Sequence, residues 1–231
     1  MGLQITFEVE AITFDDFLTL RYPIREKEDI IYPVLRALKK HGLDVDNEKF
    51  LAEYFRADRL YRQRLEKTLR EPLLDDIIID TLTVCKYEPK TVSNIVREAV
   101  DYGLETRKIK WFPSSKETLL ALRKRGYKLG LISNTHWRIL EHSRIEFRKF
   151  FDVITLSYEH GYTKPHPSIF VSTLKRLESD ANCCLHVGDD PVADIQGAKN
   201  VGMKTAFIKR RGIEVDADIK IKRLTELRKF L

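Results

Sequence analysis

Residues 184–203, CLHVGDDPVADIQGAKNVGM, begin as an apolar strand, break into an acidic turn and continue as a helix. The turn carries Asp189, Asp190 and Asp194. Three other stretches place a polar group at the close of a strand-like run. AITFDDFLTL (11–20) reaches Asp15, KLGLISNTH (128–136) reaches Ser133, and GYTKPHPSIF (161–170) carries Lys164. In an open parallel sheet the carboxyl ends of the strands converge on one crevice, so residues far apart in the chain can form one site. A carboxylate, a hydroxyl, a cation and an acidic cluster gathered there suit chemistry on an anion.

The rest of the chain supplies such a sheet. After Trp111, helical and strand patterns alternate: helix Ser115–Arg125, strand Lys128–Ser133, helix near Trp137–Lys149, strand Asp152–Ser157 and helix Pro165–Leu177. Strand Cys183–Asp189, helix Val192–Val201 and a strand at 204–209 follow, with Asp218–Lys222 as an edge strand before a last helix. This alternation predicts right-handed βαβ units and a mostly parallel sheet. Between Ile24 and Arg107 the spacing is helical. Ile31, Val34, Leu35 and Leu38 share one face, with Gly42 as a C-cap. Phe50, Tyr54, Leu60, Tyr61 and Leu65 continue the pattern. A third helix is expected near Leu73–Val84, and a fourth after Pro89 with Thr91 or Ser93 as its cap. The expected fold is α/β: a Rossmann-like core of residues 1–20 and 108–231, interrupted by a four-helix insert at 21–107.

Composition narrows the function classes. The 231 residues are 43% hydrophobic and 33% charged, which suits a buried core under a solvated surface. No run approaches the ~20 apolar residues of a membrane span. Glu8 and Glu10 interrupt the apolar N-terminus, so no signal peptide is read there. The expectation is a cytoplasmic protein with no membrane partner. Cys85, Cys183 and Cys184 lack CxxC spacing and read as small buried hydrophobes. The net charge of +6 is spread along the chain. Its densest stretches, Arg59–Arg70 and Lys209–Arg211, read as solvated surface rather than a nucleic acid site. The histidines show no zinc spacing: His186 reads as a core or supporting residue and His160 as loop, and His136, which follows the Ser133 segment, is not counted in the site.

In order and context the four segments resemble the haloacid dehalogenase (HAD) superfamily of hydrolases, from Ala11 to about Phe230. VGDDPVADIQGAKNVGMKTAFI (187–208) is the most specific part and KPHPSIF (164–170) the next. The resemblance implies that Asp15 is the nucleophile, because the Thr of the family motif falls four positions later, at Thr19. Asp16, its neighbour in an extended strand, would face away. A carboxylate so placed attacks phosphorus in line and forms an aspartyl phosphate. Ser133, Asn134 and Thr19 are expected on the substrate side, with Lys164 offsetting the charge of nucleophile and phosphate. Mg²⁺ is expected on Asp15, the backbone carbonyl of Phe17 and Asp189, with Asp190 and Asp194 as auxiliary carboxylates. The helical insert corresponds to what the family calls a C1 cap, a lid that excludes water and selects substrates.

Position 17 departs from that pattern. Phosphatases of the family usually carry there an Asp that protonates the leaving group, followed by Gly; this chain has Phe17 and Leu18. Losing a general acid costs roughly 10²–10⁴-fold. An aromatic residue at that position resembles the dehalogenase branch, whereas the acidic cluster does not. The expected function is a Mg²⁺-dependent hydrolase of a small phosphorylated metabolite, faster on acyl or aryl phosphates than on alkyl esters. A metal-independent 2-haloacid dehalogenase and a non-catalytic phosphate- or partner-binding protein stay open. Arg21 and Arg25 are candidate polar contacts to the substrate.

Overall fold

The apolar run Ala11–Phe14 forms β1, at the centre of a six-stranded sheet. On one side it pairs with β4 (Lys128–Ser133), which pairs with β5 (Val153–Leu156). On the other side lie β6 (Cys184–Gly188), β7 (Lys204–Ile208) and β8 (Ile219–Ile221). Every pairing is parallel. This is a computed structural model, and it describes residues 8–24, 31–70, 73–106, 109–135, 145–209 and 214–231. The expectations for Arg25, His136, Arg210 and Arg211, and most of the Trp137–Lys149 helix, lie outside the described residues.

Parallel strands covered on both faces are apolar on both, and β1 shows why. Ile12 and Phe14 pack into one cluster with Leu129, Leu131 and Phe147, while Ala11 packs opposite with Ile132, Phe170 and Leu174. The chain runs from β1 outward to β4 and β5, then returns to the far side of β1 at β6. That reversal puts a crevice at the carboxyl ends of β1, β4 and β6, where ligands of such sheets bind.

Two short strands escaped the sequence reading. β2 (Arg21–Pro23) pairs antiparallel with β3 (Ile109–Trp111), and the two bracket the helical stretch. Three residues are too few for an alternating pattern to register. Between them, α1 (Ile31–Lys40), α2 (Asn47–Thr68), α3 (Leu74–Val84) and α4 (Pro89–Thr106) surround a separate apolar centre that includes Val34, Leu38, Phe50, Ile78 and Val96. Gly42 ends α1 region with φ +87°, a conformation that glycine adopts without a Cβ penalty. Two details correct the expectations. Leu60 is 47% exposed, so the apolar face of α2 does not continue along its second half. Pro89 itself opens α4, and the Ser93 hydroxyl donates back to its carbonyl; neither Thr91 nor Ser93 caps that helix.

The later elements shift at their ends. The helix expected from Pro165 starts at Pro167, after a cis Lys164–Pro165 bond, with His166 as its cap accepting from the Ser168 N–H at 3.2 Å. His160 ends a short helix, Ser157–His160, rather than lying in a loop. The acidic segment opens as a π turn, Pro191–Gln196, and the last helix is a 3₁₀ segment, Leu224–Lys229. The cysteines are free thiols, Cys184 buried and the other two half-buried. Among the described residues no helix is long and apolar enough to cross a membrane.

Candidate active site

Asp15 is the first residue past β1, and its N–H donates to the Val187 carbonyl at 2.9 Å, which extends the β1–β6 pairing and anchors it. The Lys164 ammonium, 3% exposed, donates to Asp15 Oδ1 at 2.7 Å and to Asp194 Oδ1 at 2.6 Å. The other Asp194 oxygen accepts the N–H groups of Asp189 (3.1 Å) and Asp190 (3.0 Å). His186 backs this cluster from β6, its Nε2 3.3 Å from Asp194 and its Nδ1 2.8 Å from the Thr13 hydroxyl. The π turn aims Asp194 back at the strand end. Only glycine fits at 188, because a Cβ there would overlap the Asp194 carboxyl group.

Charge does not balance in this cluster. Carboxylate oxygens of Asp15, Asp189 and Asp194 lie within 4.8 Å of one another. Burial lowers the pKa of His186, so its ring stays neutral. Three carboxylates against one ammonium leave two negative charges, and the pKa shifts show where the strain falls. Burial alone would depress the Lys164 ammonium, but Asp15 and Asp194 hold it well above its usual range. Burial also opposes ionisation of Asp194, yet Lys164 and the His186 contact keep it below the usual carboxylate range. The less compensated pair rises. Burial, against a weaker pull from Lys164, pushes Asp15 well up, and burial with the Asp194 charge pushes Asp189 to about 6. A divalent cation fits such a donor set, because it would supply the two missing charges to hard oxygen ligands.

Several expected residues take other positions. The turn after β1 holds Leu18 at φ 62°, where the family pattern has glycine. Within it the Thr19 hydroxyl points to Asp189 Oδ1 at 3.4 Å, a long contact that orients a carboxylate. Arg21 is 4% exposed and paired with Asp16, which removes it as a contact to substrate. Asn134, expected beside the substrate, instead clamps the backbone of Lys164: its Nδ2 donates to the Lys164 carbonyl at 2.9 Å and its Oδ1 accepts the Lys164 N–H at 2.7 Å. Asp190 caps the π turn through the N–H groups of Val192 and Ala193, which turns its carboxylate away from the cluster. The Ser133 hydroxyl, at the end of β4 and 3% exposed, has no partner among the described residues.

The family model for haloacid dehalogenase-like hydrolases matches residues 10–202. The chain is 35% identical over 175 residues to a glyceraldehyde 3-phosphate phosphatase of Pyrococcus abyssi, covering 74% of this chain and 68% of that protein. A protein of the same name from Methanopyrus kandleri is 29% identical, with 87% and 84% covered. The crystal structure of a HAD phosphatase from Thermococcus onnurineus superposes with a TM-score of 0.67 at 26% identity, covering 96% of this chain and 97% of that one.

Proposed function

Because the chain belongs to the haloacid dehalogenase-like hydrolases, we propose that it is a phosphatase of small phosphorylated metabolites that works through an aspartyl phosphate on Asp15. The observation that carries this reading is the buried Lys164 ammonium shared between Asp15 and Asp194 at the end of β1. Lys164 pulls against the burial that raises the Asp15 pKa, the bound cation would complete that compensation, and Asp15 Oδ2 has no hydrogen-bond partner among the described residues and is free to attack phosphorus. The P–O bond to the leaving group breaks as the Asp15–phosphorus bond forms, and water then hydrolyses the acyl phosphate. The Ser133 hydroxyl and Lys164 hold phosphoryl oxygens. Asp15, Asp189 and the Phe17 carbonyl would hold Mg²⁺, whose charge offsets that of nucleophile and phosphoryl group. Asp194 orients Lys164 and the 189–190 backbone.

Phe17 cannot protonate the departing oxygen, so leaving groups that need no proton are favoured. The relatives named for glyceraldehyde 3-phosphate point instead to an alkyl ester, which makes that compound and acyl phosphates the two substrates to compare first. A 2-haloacid dehalogenase has one observation in its favour, Phe17 itself; the unbalanced acidic trio opposes it.

Helices α1–α4 serve in this reading as the cap, residues 21–107 over a core of 1–20 and 108–231. The end of α2 supports it: the Leu69 carbonyl accepts the Thr163 N–H at 2.7 Å, and Arg70 lies 5.6 Å over the Tyr162 ring, beside the Lys164 loop. The cytoplasm is its proposed location.

The test is phosphate release from a panel of phosphorylated metabolites, with Mg²⁺ or with EDTA, using Asp15→Asn as control. Mg²⁺-dependent release that Asp15→Asn lowers by on the order of 10³-fold or more is expected. Release unaffected by Asp15→Asn would overturn the reading, and metal-independent halide release would replace it with the dehalogenase.

A further inference from the structure

A cleft of about 580 Å³ lies between the start of α5 (Ser115–Lys124) and the C-terminal segment, and it shares no lining residue with the Asp15 site. Both walls stand at the carboxyl edge of the sheet. Lys222 and Arg223 follow the end of β8, while α5 runs away from that edge toward the start of β4. Ser114 occupies the N-cap of α5 but takes φ 64°, ψ 9°, rather than the extended backbone from which serine caps a helix, and its side chain makes no cap bond. The N–H groups of Lys116 and Glu117 consequently have no acceptor among the described residues. A ten-residue helix so left open presents unpaired donors and the positive end of its dipole.

An independent observation points the same way. Ser115 lines the cleft, is 0% exposed, and carries the single buried side-chain polar atom without a hydrogen-bond partner among the described residues. Such an orphan is unfavourable unless something brings it a partner. Opposite stand Lys222 and Arg223, exposed and without ion-pair partners among the described residues, and the Thr225 hydroxyl. The nearby acids do not line the cleft: Glu117 lies in the first turn of α5, and Glu226 accepts the Arg223 N–H at 3.1 Å.

We propose that this cleft is a second oxyanion site, separate from the catalytic one, for free phosphate or the phosphate group of a small metabolite. The first turn of α5 and Ser115 hold the oxygens, and Lys222 and Arg223 draw the anion in.

The experiment is a titration of the full ¹⁵N-labelled chain, metal-free, with inorganic phosphate in one arm and phenylphosphonate in the other. Saturable amide shifts at Ser115–Glu117 are expected, on a curve distinct from that of Ser133. Lys222→Ala/Arg223→Ala should weaken the first curve by about tenfold or more and leave the second, and kcat, unchanged. Binding of both probes, or of the phosphonate alone, supports the site and says whether the group arrives free or carried. Shifts at 115–117 that never saturate, or a curve the double variant does not move, overturn it. Ser115→Ala removes an orphan hydroxyl and should fold as well as the parent, so it provides a second arm. Phosphate should raise its Tm less than that of the parent; an equal rise would sink the role of Ser115.

Discussion

Arg21 grips Asp16 through two contacts, Nε to Oδ1 at 2.7 Å and Nη2 to Oδ2 at 2.5 Å, in a turn closed to solvent on both sides. The guanidinium lies 4.3 Å over the Phe147 ring and 5.8 Å over Trp111. The Asp16 carbonyl also accepts the N–H groups of Leu20 and Arg21. This pair turns the carboxylate next to Asp15 away from the Lys164 cluster and shapes the loop that carries Phe17 and Thr19. Asp16→Asn or Arg21→Met leaves a buried charge alone and should lower stability by about 3–5 kcal/mol, read by urea unfolding. The double variant Asp16→Asn/Arg21→Met should recover much of that loss; a double variant as weak as the sum of the singles would contradict the pairing.

Phe17→Asp places an acid where the family's phosphatases have one. Activity on alkyl phosphates should rise by on the order of 10²-fold relative to acyl phosphates. A folded variant with an unchanged ratio would show that position 17 does not limit the reaction.

Asn134→Ala frees the backbone on both sides of Lys164. The ammonium then loses its fixed position against Asp15, and kcat should fall by roughly 10²-fold with little change in KM. A variant that changes KM alone would return Asn134 to substrate binding.

If Asp15 and Asp189 hold Mg²⁺ as proposed, metal and protons compete for them. In the metal-free protein Asp189 titrates near 6, above its ordinary 3.8, so the folded chain keeps a proton that the unfolded chain has released. Stability contributed by that proton is present below about pH 4 and is lost as pH rises through about 6. Asp15 acts in the same direction, while Asp194, held low, contributes stability that is lost only as pH falls below the usual carboxylate range. Mg²⁺ should therefore raise Tm much more at pH 7 than at pH 4.5. Equal rises at the two pH values would mean that the cation binds elsewhere.

Much of the fold was legible because its signals are local. The apolar runs of β1, β4, β6 and β7 and the helical spacing of Ile31–Leu38 are each visible within ten residues. The β2–β3 pair was not, since its two three-residue strands meet across the whole helical stretch. The acidic segment shows the limit most clearly. Asp189, Asp190 and Asp194 are equivalent as letters, but the π turn gives Asp194 to Lys164 and two backbone amides, and leaves Asp190 as a cap.

The order of residue types along the chain alone determined that a carboxylate, a hydroxyl and an acidic turn would close strands and that a lysine would precede a helix, because periodicity and element ends are local properties. Which of those groups face one another was decided only by tertiary structure. Side-chain direction depends on turn geometry, and partners such as Lys164 and Asp15 stand 149 residues apart. The same folding gave the Arg21 guanidinium to Asp16 and the Asn134 amide to the Lys164 backbone, partners that no local pattern announces.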